Sequence, residues 1–167
     1  MLVGLVVAGG WTGRHAAAIE RLSGGAGDTV FFDAAGDAWF SLDERRRDVP
    51  FEQISTYFKD AVIAVEDHRY YLHPGIDPLA LTRATLNNLR PGRSTQGGST
   101  LTQQLARTLF LSNSRTYGRK AREAVLAGLL EVQLSKREIL QLYMNRVYLG
   151  SGIYGVETMS QKLLGKP

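Results

Sequence analysis

The sequence predicts a mainly α-helical domain with a small β-hairpin near its N-terminus. Apolar residues recur at helical spacing through most of the chain after residue 50, and helix-capping residues stand at the start of several of these stretches. Two short β-prone runs precede them. The length of 167 residues and the hydrophobic content of 44% fit one globular domain with a sizeable core.

The composition narrows the classes of partner. A net charge of +4 suggests an anionic partner, which can be a phosphate group, a nucleic acid or an acidic membrane surface. Because the chain has no cysteine, it has neither a disulfide framework nor a thiolate metal site, and the redox compartment stays open.

The first segment, Met1–Trp11, is apolar and uncharged. About twenty such residues are needed to cross a bilayer as a helix. We therefore interpret residues 1–11 as a shortened membrane anchor, with a buried strand or helix as the alternative, and residues 12–167 as the globular domain.

The hairpin is predicted next along the chain. Thr29–Phe32 and Ala38–Ser41 are β-prone, and Asp33–Asp37 between them contains turn residues, which is typical of a hairpin with a longer loop.

A first long helix is predicted from apolar residues at helical spacing that would bury one face. They are Ile54, Phe58, Val62 and Val65. This helix would bring Glu66 and Asp67 to its end.

Capping residues mark the helices that follow. Asp77 and Pro78 predict a helix start, with an end near Leu89. Ser99 or Thr100 caps the next helix, since Gln103 stands in capping-box spacing from Thr100.

Three more helices complete the prediction. Tyr117–Leu134 is a long helical stretch, and Ser135 with Glu138 forms a second capping box for the helix after it. Glycines follow that helix, and a last short helix ends near Leu164, stopped by Gly165.

A block of cations occupies the middle of the chain. No acidic residue lies between Asp77 and Glu123. The cations within it are Arg83, Arg90, Arg93, Arg107, Arg115, Arg119, Lys120 and Arg122. Such a surface suits phosphate, because arginine can hold two oxygens at once. The alternative is a solvated basic face with ordinary surface carboxylates.

Five stretches of the chain resemble, in order, the signatures of family 51 glycosyltransferases, the peptidoglycan transglycosylase domains of class A penicillin-binding proteins and of monofunctional transglycosylases. The sequences are AVEDHRYYLHPG at 64–75, GGSTLTQQ at 97–104, RKAREA at 119–124, KREILQLYMN at 136–145 and GIYG at 152–155 with LGK at 164–166. The resemblance implies a lysozyme-like α+β glycosyltransferase domain. Family domains continue with further helices, so we expect the C-terminal part to be incomplete.

The resemblance implies the reaction and its two glutamates. Lipid II is polymerised into glycan strands by inverting transfer, with release of undecaprenyl pyrophosphate. Glu66 matches the catalytic base, which takes the proton from the acceptor's 4-hydroxyl. Glu123 matches a second essential glutamate. It either orients Lys120 and the arginines, holds a divalent cation such as Mg or Mn, or makes an intrahelical ion pair only.

The same resemblance assigns the substrate-binding residues. Those expected to hold phosphate are Arg107, Arg115, Arg119 and Lys120. Asp67, Gln103 and Gln104 are expected to contact sugar hydroxyls. Ser99 and Thr100 are expected to cap the helix and contact substrate, with pure capping as the alternative. No covalent cofactor is expected.

The expected partners are lipid II, the growing glycan chain and the membrane surface, with a transpeptidase domain or enzyme as a further candidate and no nucleic acid. The expected location is the extracytoplasmic, periplasmic face of the cell membrane. The alternative function is a lysozyme-like or lytic enzyme that cleaves finished glycan. A helical nucleic-acid-binding module is a third hypothesis, supported only by the charge.

Overall fold

A computed structural model of the chain describes residues 11–19, 29–32, 38–42, 48–89, 97–111 and 116–166. The chain falls into two compact units, Met1–Arg47 and Asp48–Pro167. Residues 1–10, most of the predicted anchor, lie outside the described residues. None of the helices within the described ranges is long and apolar enough to cross a membrane.

The first unit contains helix α1, residues 11–19, and the predicted hairpin. Strands β1, Thr29–Phe32, and β2, Ala38–Leu42, pair antiparallel with Phe31 opposite Phe40. Both strands are confirmed, the second one residue longer than predicted. The loop between them lies outside the described residues.

The described residues of the second unit form six α-helices. They are α2, Thr56–Glu66; α3, Pro78–Asn88; α4, Leu101–Phe110; α5, Tyr117–Gln133; α6, Lys136–Arg146; and α7, Val156–Leu164. Short 3-10 turns cover Phe51–Gln53 and Tyr70–Leu72. The predicted fold class, mainly α with a small hairpin, is confirmed.

Helix α4 is central to the second unit, since it packs against both α5 and α6. The core side chains of these three helices are fully buried. They include Leu101, Leu105, Leu126, Leu130, Ile139, Leu140 and Met144. Both predicted capping boxes are present, with Thr100 and Gln103 at α4 and Ser135 and Glu138 at α6. The core therefore fixes the start of α4 relative to α5.

The end of α6 is tied to the start of the second unit. The Asn145 amide donates to the Val49 carbonyl at 3.0 Å and accepts from the Val49 N–H at 2.9 Å. Arg146 beside it pairs with Asp48. These contacts hold residues 48 and 49 against α6.

One sequence prediction is wrong in detail, and one element was not predicted. Val65 was expected to be buried with the apolar face of α2, yet its side chain is 81% exposed. The glycine-rich stretch after α6 forms a second hairpin, which the sequence prediction missed. Its strands are β3, Tyr148–Gly150, and β4, Ile153–Tyr154. Positive φ at Ser151 and Gly152 gives the tight turn that joins them.

Gly155, which follows this hairpin, lies against the end of α6. It has φ +76°, and a Cβ there would lie 2.6 Å from the Asn145 carbonyl oxygen. Gly152 has a similar φ of +72°, but nothing lies within 4 Å of a Cβ built there. We expect Gly155→Ala to destabilise the domain by about 2 kcal/mol more than Gly152→Ala, because only the first adds a steric clash to the backbone strain.

Urea unfolding of the two glycine variants measures this difference. Gly152→Ala is the matched control, since it reports the cost of positive φ alone. Equal losses of stability in the two variants would contradict the clash at Gly155.

Candidate active site

Glu66 is the last residue of α2, and its side chain is exposed. The helix ends there because Asp67 leaves the helical region, with φ −160° and ψ 70°. Glu66 Oε2 accepts a hydrogen bond from Gln104 Nε2 at 3.0 Å. The carboxylate is thus open to solvent and held at one oxygen by α4.

Asp67, the next residue, is buried and anchors the end of α2. Its oxygens accept from His73 Nε2 at 3.0 Å and from the Leu101 N–H at 3.0 Å. Both oxygens have protein donors, and the contact with Leu101 joins the end of α2 to the first turn of α4. Contact of Asp67 with an acceptor hydroxyl stays a prediction.

The loop that follows Asp67 is held in place by contacts with Lys136, the first residue of α6. Lys136 Nζ donates to the His73 carbonyl at 2.7 Å and to Glu131 Oε1 at 2.8 Å. The hydroxyl of buried Tyr70 donates to the Lys136 carbonyl at 2.6 Å. Burial, followed by the negative charge of Glu131, raises the pKa of Tyr70, so this hydroxyl stays a donor.

Gln103 and Gln104 face different ways although they are neighbours. Gln103 is buried, and its Oε1 accepts from the Thr100 N–H at 3.1 Å in the capping box. Gln104 Oε1 accepts from the Tyr143 hydroxyl at 3.2 Å, while its Nε2 donates to Glu66. The sugar contacts predicted for both amides stay predictions.

Thr100 caps α4, as the capping alternative predicted. Its Oγ1 accepts from the Gln103 N–H and donates to the Gly75 carbonyl at 2.6 Å. Ser99 has a different position, since its Oγ accepts from Lys120 Nζ at 2.7 Å. A substrate contact for either hydroxyl stays a prediction.

Glu123 lies at the centre of a small ionic cluster on α5. The carboxylate is buried, and it forms ion pairs with Arg119 and Lys120, one turn earlier on the same helix. The Lys120 side chain is still 39% exposed. We call Ser99, Arg119, Lys120 and Glu123 the α5 cluster. The intrahelical ion pair named among the alternatives for Glu123 is present, and a role towards substrate stays a prediction.

The other predicted phosphate ligands are less tightly held. Arg107 lies exposed on the last turn of α4. Arg115 lies outside the described residues.

Within the described part of the chain, buried Arg119 Nε has no hydrogen-bond acceptor. A guanidinium with an unused donor suits an anion. Phosphate binding by Arg107, Arg115 and Arg119 stays a prediction.

One cleft of about 410 Å³ is lined by Glu66, Asp67, Ser99 and Thr100. Of the α5 cluster, Ser99 is the member that lines it. His68, Arg83 and Asn87 also line it, and the sequence analysis did not assign them to the site. Arg83 was part of the cationic block and His68 is part of the signature at 64–75, but neither was given a role there, and nothing in the sequence marked Asn87.

The surroundings of Glu123 do not form a metal site in the described ranges. Its two oxygens are each engaged by a cationic side chain. No group of three potential metal ligands among the described residues could hold a metal ion. The divalent cation considered from the sequence therefore stays a prediction without a described set of ligands.

A helical domain with an exposed carboxylate on a polar cleft, and a cationic cluster that contacts the cleft residue Ser99, has the features of a sugar-transferring enzyme. The transglycosylase family profile matches residues 36–167. The chain therefore belongs to the transglycosylase family, a class of glycosyltransferases.

Individual relatives agree with this family. The chain is 49% identical over 119 residues to the biosynthetic peptidoglycan transglycosylase of Azoarcus sp. (strain BH72), covering 71% of this chain and 52% of that protein. It is 45% identical over 136 residues to penicillin-binding protein 1A of Aquifex aeolicus, covering 81% of this chain and 19% of the relative. The protein of the same name from Escherichia coli is also 45% identical over 136 residues, covering 81% and 16%.

The chain thus spans about half the length of the transglycosylase relative and less than a fifth of the two penicillin-binding proteins.

Proposed function

We propose that the chain catalyses peptidoglycan glycosyl transfer, joining lipid II units into a glycan strand with release of undecaprenyl pyrophosphate. The single observation that carries the proposal is the cleft that Glu66 and Ser99 both line, because Ser99 also contacts Lys120. A base on the cleft and a cation 2.7 Å from the hydroxyl of the cleft residue Ser99 provide for the two charges that develop when a hydroxyl replaces a pyrophosphate.

In this proposal Glu66 is the general base. The acceptor's 4-hydroxyl oxygen attacks the anomeric carbon of the donor, and Glu66 takes the hydroxyl proton. The new carbon–oxygen bond forms on the face opposite the leaving group, so the configuration inverts. Exposure of Glu66 on the cleft gives an acceptor sugar access to the carboxylate.

The breaking bond leaves its electron pair on the lipid pyrophosphate. Lys120 and Arg119 neutralise this charge, with Arg107 and Arg115 as further phosphate ligands. Placed donors for a developing negative charge are a large contribution to catalysis in a partly dry site. Lys120 suits this role because Glu123 and Ser99 hold its ammonium while part of the side chain stays exposed.

We further propose that the domain acts at the periplasmic face of the cell membrane, where a lipid-linked substrate would be held. The names of the relatives, a peptidoglycan transglycosylase and two penicillin-binding proteins, support this location. A transpeptidase domain or enzyme is the proposed protein partner, since the strands would then be cross-linked.

A polymerisation assay with lipid II tests the proposed function. We expect long glycan strands to form. One molecule of undecaprenyl pyrophosphate should be released for each glycosidic bond made. A matched incubation with finished, uncross-linked glycan separates the lytic alternative. Cleavage of that glycan without polymerisation of lipid II would overturn the proposal.

A further inference from the structure

Gln104 lies between an exposed carboxylate and a buried phenol. Its Nε2 donates to Glu66 Oε2 at 3.0 Å, and its Oε1 accepts from the Tyr143 hydroxyl at 3.2 Å. The two contacts determine which way the amide points. A carboxylate can only accept, so the amide nitrogen must face Glu66 and the oxygen must face Tyr143.

Tyr143 can anchor the amide oxygen of Gln104 because its hydroxyl remains a donor. Its ring is buried on α6, within the core that holds α4 and α6 together. Burial, with a smaller contribution from the negative charge of Glu66 and opposed by Arg107, raises the pKa of Tyr143 to about 12. The hydroxyl is therefore protonated at any pH at which the domain is expected to work.

We propose that Tyr143 is a positioning residue for Glu66 and acts through the amide of Gln104. The inference rests on the proposed function, in which Glu66 is the base. The hydroxyl anchors the amide oxygen, and the amide nitrogen then holds Oε2 of the carboxylate. The other oxygen, Oε1, has no hydrogen-bond donor within the described residues, so it is left for the acceptor hydroxyl.

The geometry explains why such a relay is needed. Glu66 is at the end of its helix and exposed, so its side chain can adopt several rotamers unless a contact restricts it. A catalytic group has to lie within hydrogen-bond reach of the proton that it removes. Since α4 and α6 are packed in the core, the relay transfers the order of the core to a surface carboxylate.

The first test is Tyr143→Phe, which keeps the ring and removes only the hydroxyl. We expect kcat for lipid II polymerisation to fall about fivefold, the effect of losing one neutral hydrogen bond, while KM stays within about twofold. Tyr57→Phe is the matched control. Its ring is 89% exposed on α2, and kcat and KM should stay at the parent values.

A double-variant comparison separates positioning from general loss of structure. Gln104→Ala removes the relay, so adding Tyr143→Phe to it should lower kcat by no more than about a further twofold. Independent effects, in which the two losses multiply, would overturn the proposal. So would a Tyr143→Phe variant with parent kcat, or one in which KM alone changes.

A spectroscopic readout separates this inference from the proposed function. The Gln104 side-chain amide, observed by nuclear magnetic resonance in the full chain, should shift towards the position of a free glutamine amide in Tyr143→Phe. An inactive parent chain with this shift would refute the polymerase activity and leave the relay supported. An active parent whose Gln104 amide does not move would refute the relay alone.

Discussion

Glu66→Gln is expected to lower the rate of lipid II polymerisation by about a hundredfold or more, the usual scale for losing a general base. The substitution keeps the size of the side chain, and its amide oxygen can still accept from Gln104 Nε2. Only the ability to take a proton is removed. Binding of the donor should stay within a few fold of the parent, because the proposed phosphate ligands are on other helices.

Glu157→Gln is the matched control for this change. Glu157 lies on α7, accepts a hydrogen bond from Gln161 on the same helix, and is not among the residues that line the cleft. A Glu66→Gln variant that polymerises at the parent rate would refute the assignment of the base. His68 would then be the first residue to examine, since it lines the same cleft, whereas Glu123 is buried between two cations.

The helices could be predicted because their signals are local. Asp77, whose carboxylate caps α3, and the capping boxes of α4 and α6 each lie within four residues of the turn that they stabilise. Burial depends on distant parts of the chain, and the exposed Val65 shows the limit of periodicity. Helical spacing says which residues share a face but not where the covered part of that face ends.

The site was predicted as a set of residues but not as an arrangement. The sequence placed Gln103 and Gln104 together, although neighbours on a helix point about 100° apart. One amide therefore caps the helix and the other reaches Glu66. The contacts of Asp67 with Leu101, and of Lys120 with Ser99, span more than twenty residues in sequence, and no local pattern indicates them.

Glu123→Gln is expected to destabilise the domain by about 3 kcal/mol, the scale for removing one partner of a buried ion pair. An exposed intrahelical pair would contribute under about 1 kcal/mol, so the size of the loss distinguishes the two environments. The neutral amide would leave Arg119 and Lys120 without a counter-charge in the α5 cluster. Urea unfolding measures the loss, with Glu157→Gln again as the control.

The same variant tests what Glu123 does for the reaction. If it holds Lys120 towards the pyrophosphate, Glu123→Gln should also raise KM for lipid II by about tenfold, the scale of one hydrogen bond to a charged group. Adding Lys120→Gln removes one of the two uncompensated cations and should restore part of the lost stability, since an ion pair that loses both partners costs less than one that loses a single partner. The double variant should not recover the parent KM, because Lys120, the proposed phosphate ligand, is then absent. Recovery of stability and KM together would show that Glu123 acts only in folding, and that pyrophosphate is held by other cations of the block.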